Sequence, residues 1–186
     1  MEFDGEYHIA ATREQVWRAL NDPAILLRAV PGCEALEKTS DSEFIARVTL
    51  KIGPVKAKFK GRVTLGDLDP PNGYSITGEG QGGVAGFAKG SARVQLTEDG
   101  DGTCLRYQAT ATVGGKLAQV GQRMITAAAR KLATEFFTNL GEAMASPEAA
   151  PPPPPLKQEP AAGLNLMAWV IGVLLLVIAL LAYFGV

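Results

Sequence analysis

Histidine is almost missing from this sequence: His8 is the one imidazole among 186 residues. It sits between Tyr7 and Ile9 in a segment that alternates in hydropathy, so it falls on the polar side. A nucleophile activated by histidine needs that imidazole inside a site, and no HxxxH or comparable metal spacing exists. No catalytic residue and no metal ligand is therefore assigned. Cysteine is scarce as well. Cys33 and Cys104 stand far apart without CxxC spacing, which excludes a metal knuckle or dithiol motif and leaves two ordinary buried or half-buried thiols. Charge of one sign is lacking overall, with 17 basic and 17 acidic side chains within Met1–Ser146. No global field draws nucleic acid. The acidic start, Met1 to Glu6, contains no apolar run and cannot be a secretory signal.

What the first 145 residues lack, the last 23 have. From Leu164 to Val186 there is no charge, and as a helix this run spans about 35 Å against a hydrocarbon core of about 30 Å. Trp169 near one end and Tyr183-Phe184 near the other suit the two interfaces. Before it, residues 146–163 turn to Pro, Ala and Glu, with Pro151 to Pro155 consecutive. Such a run is extended polyproline II and acts as a stiff spacer. Three parts follow: a domain over 1–145, a linker over 146–163 and a single-pass anchor over 164–186. With no signal in front, the domain is expected on the cytoplasmic side of the inner membrane.

Inside the domain the period of alternation changes twice. Phe3, Gly5, Tyr7 and Ile9 mark a half-buried strand. Thr12 and Gln15 then form a capping box for a short helix ending at Asn21-Asp22-Pro23, and Ala24 to Val30 adds another helical turn before Pro31-Gly32. Four or five strands follow. Residues 44–52 and 55–65 alternate cleanly around Gly53-Pro54, and 74–80, 90–97 and 103–113 continue the meander. Past Gly114-Gly115 a helical period sets in, with Leu117, Val120, Met124, Ala128, Leu132, Phe136 and Leu140 on one face. The fold class expected is α+β, a curved antiparallel sheet wrapped around a long C-terminal helix, the helix-grip arrangement.

Several inward positions are small, among them Gly61, Gly78, Gly80, Gly90, Ala92, Ala109 and Ala111. Two readings compete, close helix-on-sheet packing and an apolar hollow, and the hollow is the one adopted. By parity and spacing its lining is Leu27, Val30, Phe59, Phe87, Tyr107, Leu117, Val120 and Met124, with Phe87 dependent on how the glycine-rich stretch before it bends. Gly78 to Gly83 formally fits GxGxxG, but nothing helical follows and no βαβ unit surrounds it, so a dinucleotide site is set aside. A mobile hairpin at the cavity mouth and a bulged strand pair both remain open for it. Arg47, Lys51, Lys56, Lys58, Lys60 and Arg62 share one sheet face. That face is either solvated or docks an acidic partner or anionic headgroups; no aromatics interleave the cations, which speaks against nucleic acid.

Several separated segments also agree, in order, with a known family. They are Asn21-Asp22-Pro23 through Val30-Pro31-Gly32-Cys33-Glu34, Gly53-Pro54-Val55-Lys56-Ala57-Lys58-Phe59-Lys60-Gly61, Gly78-Glu79-Gly80 through Gly90-Ser91, and Gly114-Gly115-Lys116-Leu117 with Phe136-Phe137. On these the sequence resembles the carbon monoxide dehydrogenase G-subunit family of the START-like, helix-grip superfamily. The resemblance implies a non-enzymatic adaptor that recruits a molybdenum hydroxylase of the carbon monoxide dehydrogenase type to the membrane. It also implies a lipophilic quinone, such as menaquinone or ubiquinone, as a noncovalently bound ligand for electron delivery. Two rival readings stand beside it. One is a cyclase or hydrolase acting in the same hollow, with Tyr7, Tyr74 and Tyr107 as its inward polar groups. The other is a purely structural membrane anchor.

Overall fold

A computed structural model describes residues 1–145; the linker and the apolar run expected to span a bilayer lie outside the described residues. Among the described residues no helix is long and apolar enough to cross a membrane.

The chain opens on strand β1 (Glu2–Ile9) and makes two short helices, α1 (Arg13–Ala19) and α2 (Pro23–Ala29). Six strands follow without interruption by an α-helix: β2 (Cys33–Ser40), β3 (Glu43–Ile52), β4 (Val55–Asp69), β5 (Gly73–Gln81), β6 (Phe87–Asp99) and β7 (Gly102–Gly114). They form one sheet in the order β1-β7-β6-β5-β4-β3-β2, antiparallel throughout. The helix α3 (Gln122–Ala145) closes the domain.

Local chemistry fixes the helix starts. The Thr12 hydroxyl accepts from the Gln15 N–H and the Gln15 side chain accepts from the Thr12 N–H, the reciprocal pairing that satisfies two orphan donors. Asp22 caps α2 by accepting from the Ala24 N–H at 2.8 Å, with Pro23 in the first turn. Two expectations need correction. Strand β2 is additional to the strands expected, because Glu37 to Ser40 is an exposed run on the edge strand and shows no alternation. The long helix is also shorter than its apolar period suggests. Gly115–Val120 is a 3-10 segment, and Gly121, at φ +93°, breaks it from α3. A positive φ of that size belongs to glycine, so Leu117 and Val120 do not share a helix face with Met124.

The apolar interior divides between the two ends of the strands. One cluster joins Val16 of α1 and Leu20 just past its end to Phe44, Leu65, Tyr74, Val94, Leu96 and Leu105, with Leu140 from the end of α3. The other joins Ile52, Phe59, Ala85 and Leu117 to Ile125 from the start of α3. Thus α3 bridges the two clusters. At its far end Asn139 donates to the Ala29 carbonyl at 3.2 Å, and the Thr103 hydroxyl donates to the Ala11 carbonyl at 2.7 Å, tying β7 to the turn before α1.

If α3 is held chiefly at its ends, truncations along it should differ sharply. Leu140→Ala, at a fully buried position, is expected to cost about 2–5 kcal/mol in denaturant unfolding. Leu132→Ala, at a half-buried position, should cost well under that; equal losses would mean that the middle of the helix is packed as tightly as its end.

Candidate ligand-binding site

Cross-strand register turns the small residues into a continuous floor. On the inner face Ala46 pairs with Gly61, Gly61 with Gly80 and Gly80 with Ala88; one row on, Val63 pairs with Gly78, Gly78 with Gly90 and Gly90 with Ala111. Ile76, Ala92 and Ala109 make a third row. All of these positions are inward by alternation, yet none is fully buried, and neither are Leu132, Ala133 and Phe136 of α3. Described side chains fill the two ends of the grip and leave its middle accessible.

The glycines say whether that space is forced. A Cβ built on Gly61, Gly78 or Gly80 would meet nothing closer than 3.5 Å, ordinary van der Waals contact, and none of the three has a positive φ. Neither crowding nor backbone strain requires glycine there, although glycine in a strand costs about 0.5–1 kcal/mol relative to alanine. Gly90 differs. Its Cβ would stand 2.2 Å from the Thr110 carbonyl oxygen, so at that position glycine is a packing requirement.

The residues expected to line the site separate into three groups. Phe59 and Leu117 are buried together in the second cluster, with Val120 packed against them. Tyr107 stands beyond the opposite end of the floor, where its ring stacks with Tyr7 and Phe137 at centroid distances of 6.4 and 6.1 Å. Tyr7 also shares a hydrogen bond with the Thr134 hydroxyl. Burial pushes the Tyr107 phenol pKa up, and the neighbouring Tyr7 adds to this. Leu27 and Val30 are half-buried at the end of α2, with Leu27 packed against the first cluster. Phe87 and Met124 fall outside. Phe87 shares the outward parity of Lys89 and Ser91 and lies over Gly114; the 3-10 turn Gly83–Ala85 shifts the register before it, and Ala85 is buried in the second cluster instead. Met124, 48% exposed, covers the Gly53 hairpin turn at the rim. Gly121 lies at an exposed turn.

A cleft of about 220 Å³ opens between α3 and the edge of β3, lined by Pro31, Gly32, Leu50, Ala128, Leu132 and Glu135 among others. Leu50 is inward on β3, and Ala128 and Leu132 lie along α3, so the cleft leads from solvent to the apolar side. Larger depressions of about 460 and 620 Å³ lie on the outer sheet face. Their sides include hydroxyl-bearing and charged groups such as Thr77, Ser91, Thr110, Arg62 and Arg93.

Arg47, Lys51, Lys56, Lys58, Lys60 and Arg62 are all exposed on the outer face of the β3–β4 hairpin. Neighbouring strands supply acids to some of them: Glu34 pairs with Lys58 at 3.0 Å and Glu43 with Arg62 at 2.9 Å. Hydrogen bonds from Thr49 and Lys58 hold the Glu34 carboxyl below its ordinary pKa. Register nevertheless sets Arg47 opposite Lys60 and Lys51 opposite Lys56, like-charge pairs that destabilise a sheet. Lys51, Lys56 and Lys60 make no ion pair among the described residues.

Known proteins share this geometry. The profile of the carbon monoxide dehydrogenase G-subunit (CoxG) family matches residues 5–145. A conserved protein from Geobacillus kaustophilus is 33% identical, with a TM-score of 0.73 over 78% of this chain and 95% of that one. The Zhui aromatase/cyclase from a Streptomyces species shares the fold at 18% identity and a TM-score of 0.57, over 82% and 98% of the two chains. A Thermus thermophilus protein does so at 16% and 0.60, over 80% and 100%. No curated protein sequence matches the chain.

The contrast among glycines is testable by unfolding. Gly78→Ala and Gly80→Ala are each expected to stabilise the domain by roughly 0.5–1 kcal/mol, while Gly90→Ala should destabilise it. Destabilisation by all three would mean that helix atoms already occupy the floor.

Proposed function

The chain belongs to the carbon monoxide dehydrogenase G-subunit family, and from that membership and the geometry above we propose that it is a non-enzymatic adaptor. It holds a lipophilic quinone in the apolar hollow and recruits a molybdenum hydroxylase of the carbon monoxide dehydrogenase type to the membrane. The family itself points to a role associated with carbon monoxide dehydrogenase. The observation that carries the finer reading is the glycine and alanine floor, left open where alanine or a larger residue would fit. A flat quinone ring with an isoprenoid tail matches an apolar slot bounded by Tyr7, Tyr107 and Phe137 at one end and by Phe59 and Leu117 at the other. The cleft beside α3 is its route of entry. The C-terminal apolar run keeps the domain at the inner membrane, where such a ligand dissolves, and residues 146–163 give it reach.

The cyclase reading draws support from the fold shared with an aromatase/cyclase. Against it stands the use of the inward tyrosines for packing. Tyr74 is buried edge-on against Trp17, and Tyr7 stacks on Phe137 at 4.1 Å. His8 lies on the outer face, away from the hollow, with its side chain 65% exposed.

Two measurements test the proposal. In detergent, the full-length chain should bind a menaquinone or ubiquinone analogue saturably, one per chain. Ala111→Phe should weaken that binding at least tenfold while costing less stability than the roughly 1–3 kcal/mol of overpacking a filled core. An unfolded variant, or one that binds as well as the parent, argues against the hollow. For the outer face, changing Lys51, Lys56 and Lys60 together to Glu should abolish salt-sensitive capture of the carbon monoxide dehydrogenase-type partner without altering the circular dichroism spectrum. Unchanged capture at low salt means that the face is only solvated.

A further inference from the structure

The single histidine belongs to a cluster that quinone binding and adaptor docking do not use. On the outer face of the β1–β7 pair, His8 stands directly opposite Cys104, and Glu6 opposite Arg106. Glu6 and His8, two residues apart on one strand, point the same way and lean over the Cys104 thiol, which is buried beneath them. A Glu6 carboxylate oxygen, a His8 ring nitrogen and the Cys104 sulfur all lie within 4.8 Å of one another. Glu6 Oε1 is 3.5 Å from His8 Nε2, and on the other side of the ring Nδ1 is 2.7 Å from an Asp99 carboxylate oxygen. Arg106 engages the second oxygen of Glu6.

We propose that Glu6, His8 and Cys104 form a binding site for a divalent metal ion of the zinc type, with Asp99 as the residue that positions His8. One nitrogen, one sulfur and one carboxylate oxygen suit Zn²⁺ better than a hard cation such as Mg²⁺ or Ca²⁺. Tetrahedral bonds of about 2.0–2.3 Å set ligand atoms roughly 3.3–3.6 Å apart, a spacing that Glu6 and His8 already have. Small rotations of these two exposed side chains bring them onto the sulfur. Asp99 accepts the Nδ1 proton and so turns the Nε2 lone pair toward Glu6 and Cys104, the arrangement in which a carboxylate orients a metal-bound imidazole. Arg106 occupies only the far oxygen of Glu6, leaving Oε1 available. Three protein ligands leave the fourth position to solvent.

The rival account is a surface ion-pair cluster, Glu6 with Arg106 and Asp99 with His8. It accounts for the two charged contacts and leaves the buried thiol as no more than a hydrogen-bond donor to the Glu6 carboxylate. Metal binding instead joins all three donors, with the sulfur bonding the ion as thiolate.

Titration of the full-length chain in detergent, free of any affinity tag, with Co²⁺ as probe distinguishes the two. The site predicts one Co²⁺ per chain, a thiolate-to-cobalt charge-transfer band in the near ultraviolet, and displacement by Zn²⁺. Cys104→Ser should remove the band, and Asp99→Asn should weaken binding about 10–100-fold. Because Cys104 is buried and its replacement can disturb folding, the exposed His8→Ala variant is decisive: a loss of tenfold or more with an unchanged circular dichroism spectrum is expected. Binding without the charge-transfer band, or His8→Ala binding as tightly as the parent, overturns the proposal in favour of adsorption at surface carboxylates. Quinone binding is read separately and is unaffected by either result.

Discussion

The fold depends on how α3 is attached. Its first turn enters one apolar cluster through Ile125, and its last turns enter the other through Leu140, with Met144 packed against it. Between these anchors it crosses rows of glycine and alanine that reach toward it with almost no side chain. A helix fixed at both ends over a floor of small residues gives a rigid frame around accessible apolar surface. Rigidity and room usually oppose each other in a core packed to uniform density. Here they are assigned to different parts of the same strands.

The outer face is built on the opposite chemistry. Inward positions hold almost no charge, whereas the outward ones on β3 and β4 are crowded with lysine and arginine, some facing each other across the ladder. Such repulsion lowers stability, and a sheet that needed only solubility could alternate signs instead. Glu34 and Glu43 relieve part of it. The remainder suits a face that meets acidic groups outside the domain, as the proposed docking requires.

Much of this is legible in the sequence because a strand's period of two makes facing visible residue by residue. Alternation alone puts Phe59, Tyr7 and the basic stripe on their correct faces, and the capping box at Thr12 marks α1. Legibility fails where backbone geometry departs from regular elements. The 3-10 turn at Gly83–Ala85 moves Phe87 outward, and the positive φ of Gly121 separates Leu117 and Val120 from α3. The edge strand β2 leaves no signal because its exposed half, Glu37 to Ser40, is wetted on both faces. The cluster of Glu6, His8 and Cys104 is beyond reach for another reason: its members are joined by the register of β1 on β7, strands nearly a hundred residues apart in the chain. No local spacing encodes that pairing.

The central claim is that the middle of the grip holds a lipophilic molecule. Native mass spectrometry of the full-length chain, isolated from its own membranes in mild detergent, tests this most directly. The account predicts one retained apolar molecule per chain, with the fragmentation pattern of an isoprenoid quinone, released only when the domain is unfolded. A chain that ejects from detergent with its bare mass, under conditions that keep the domain folded, would contradict it.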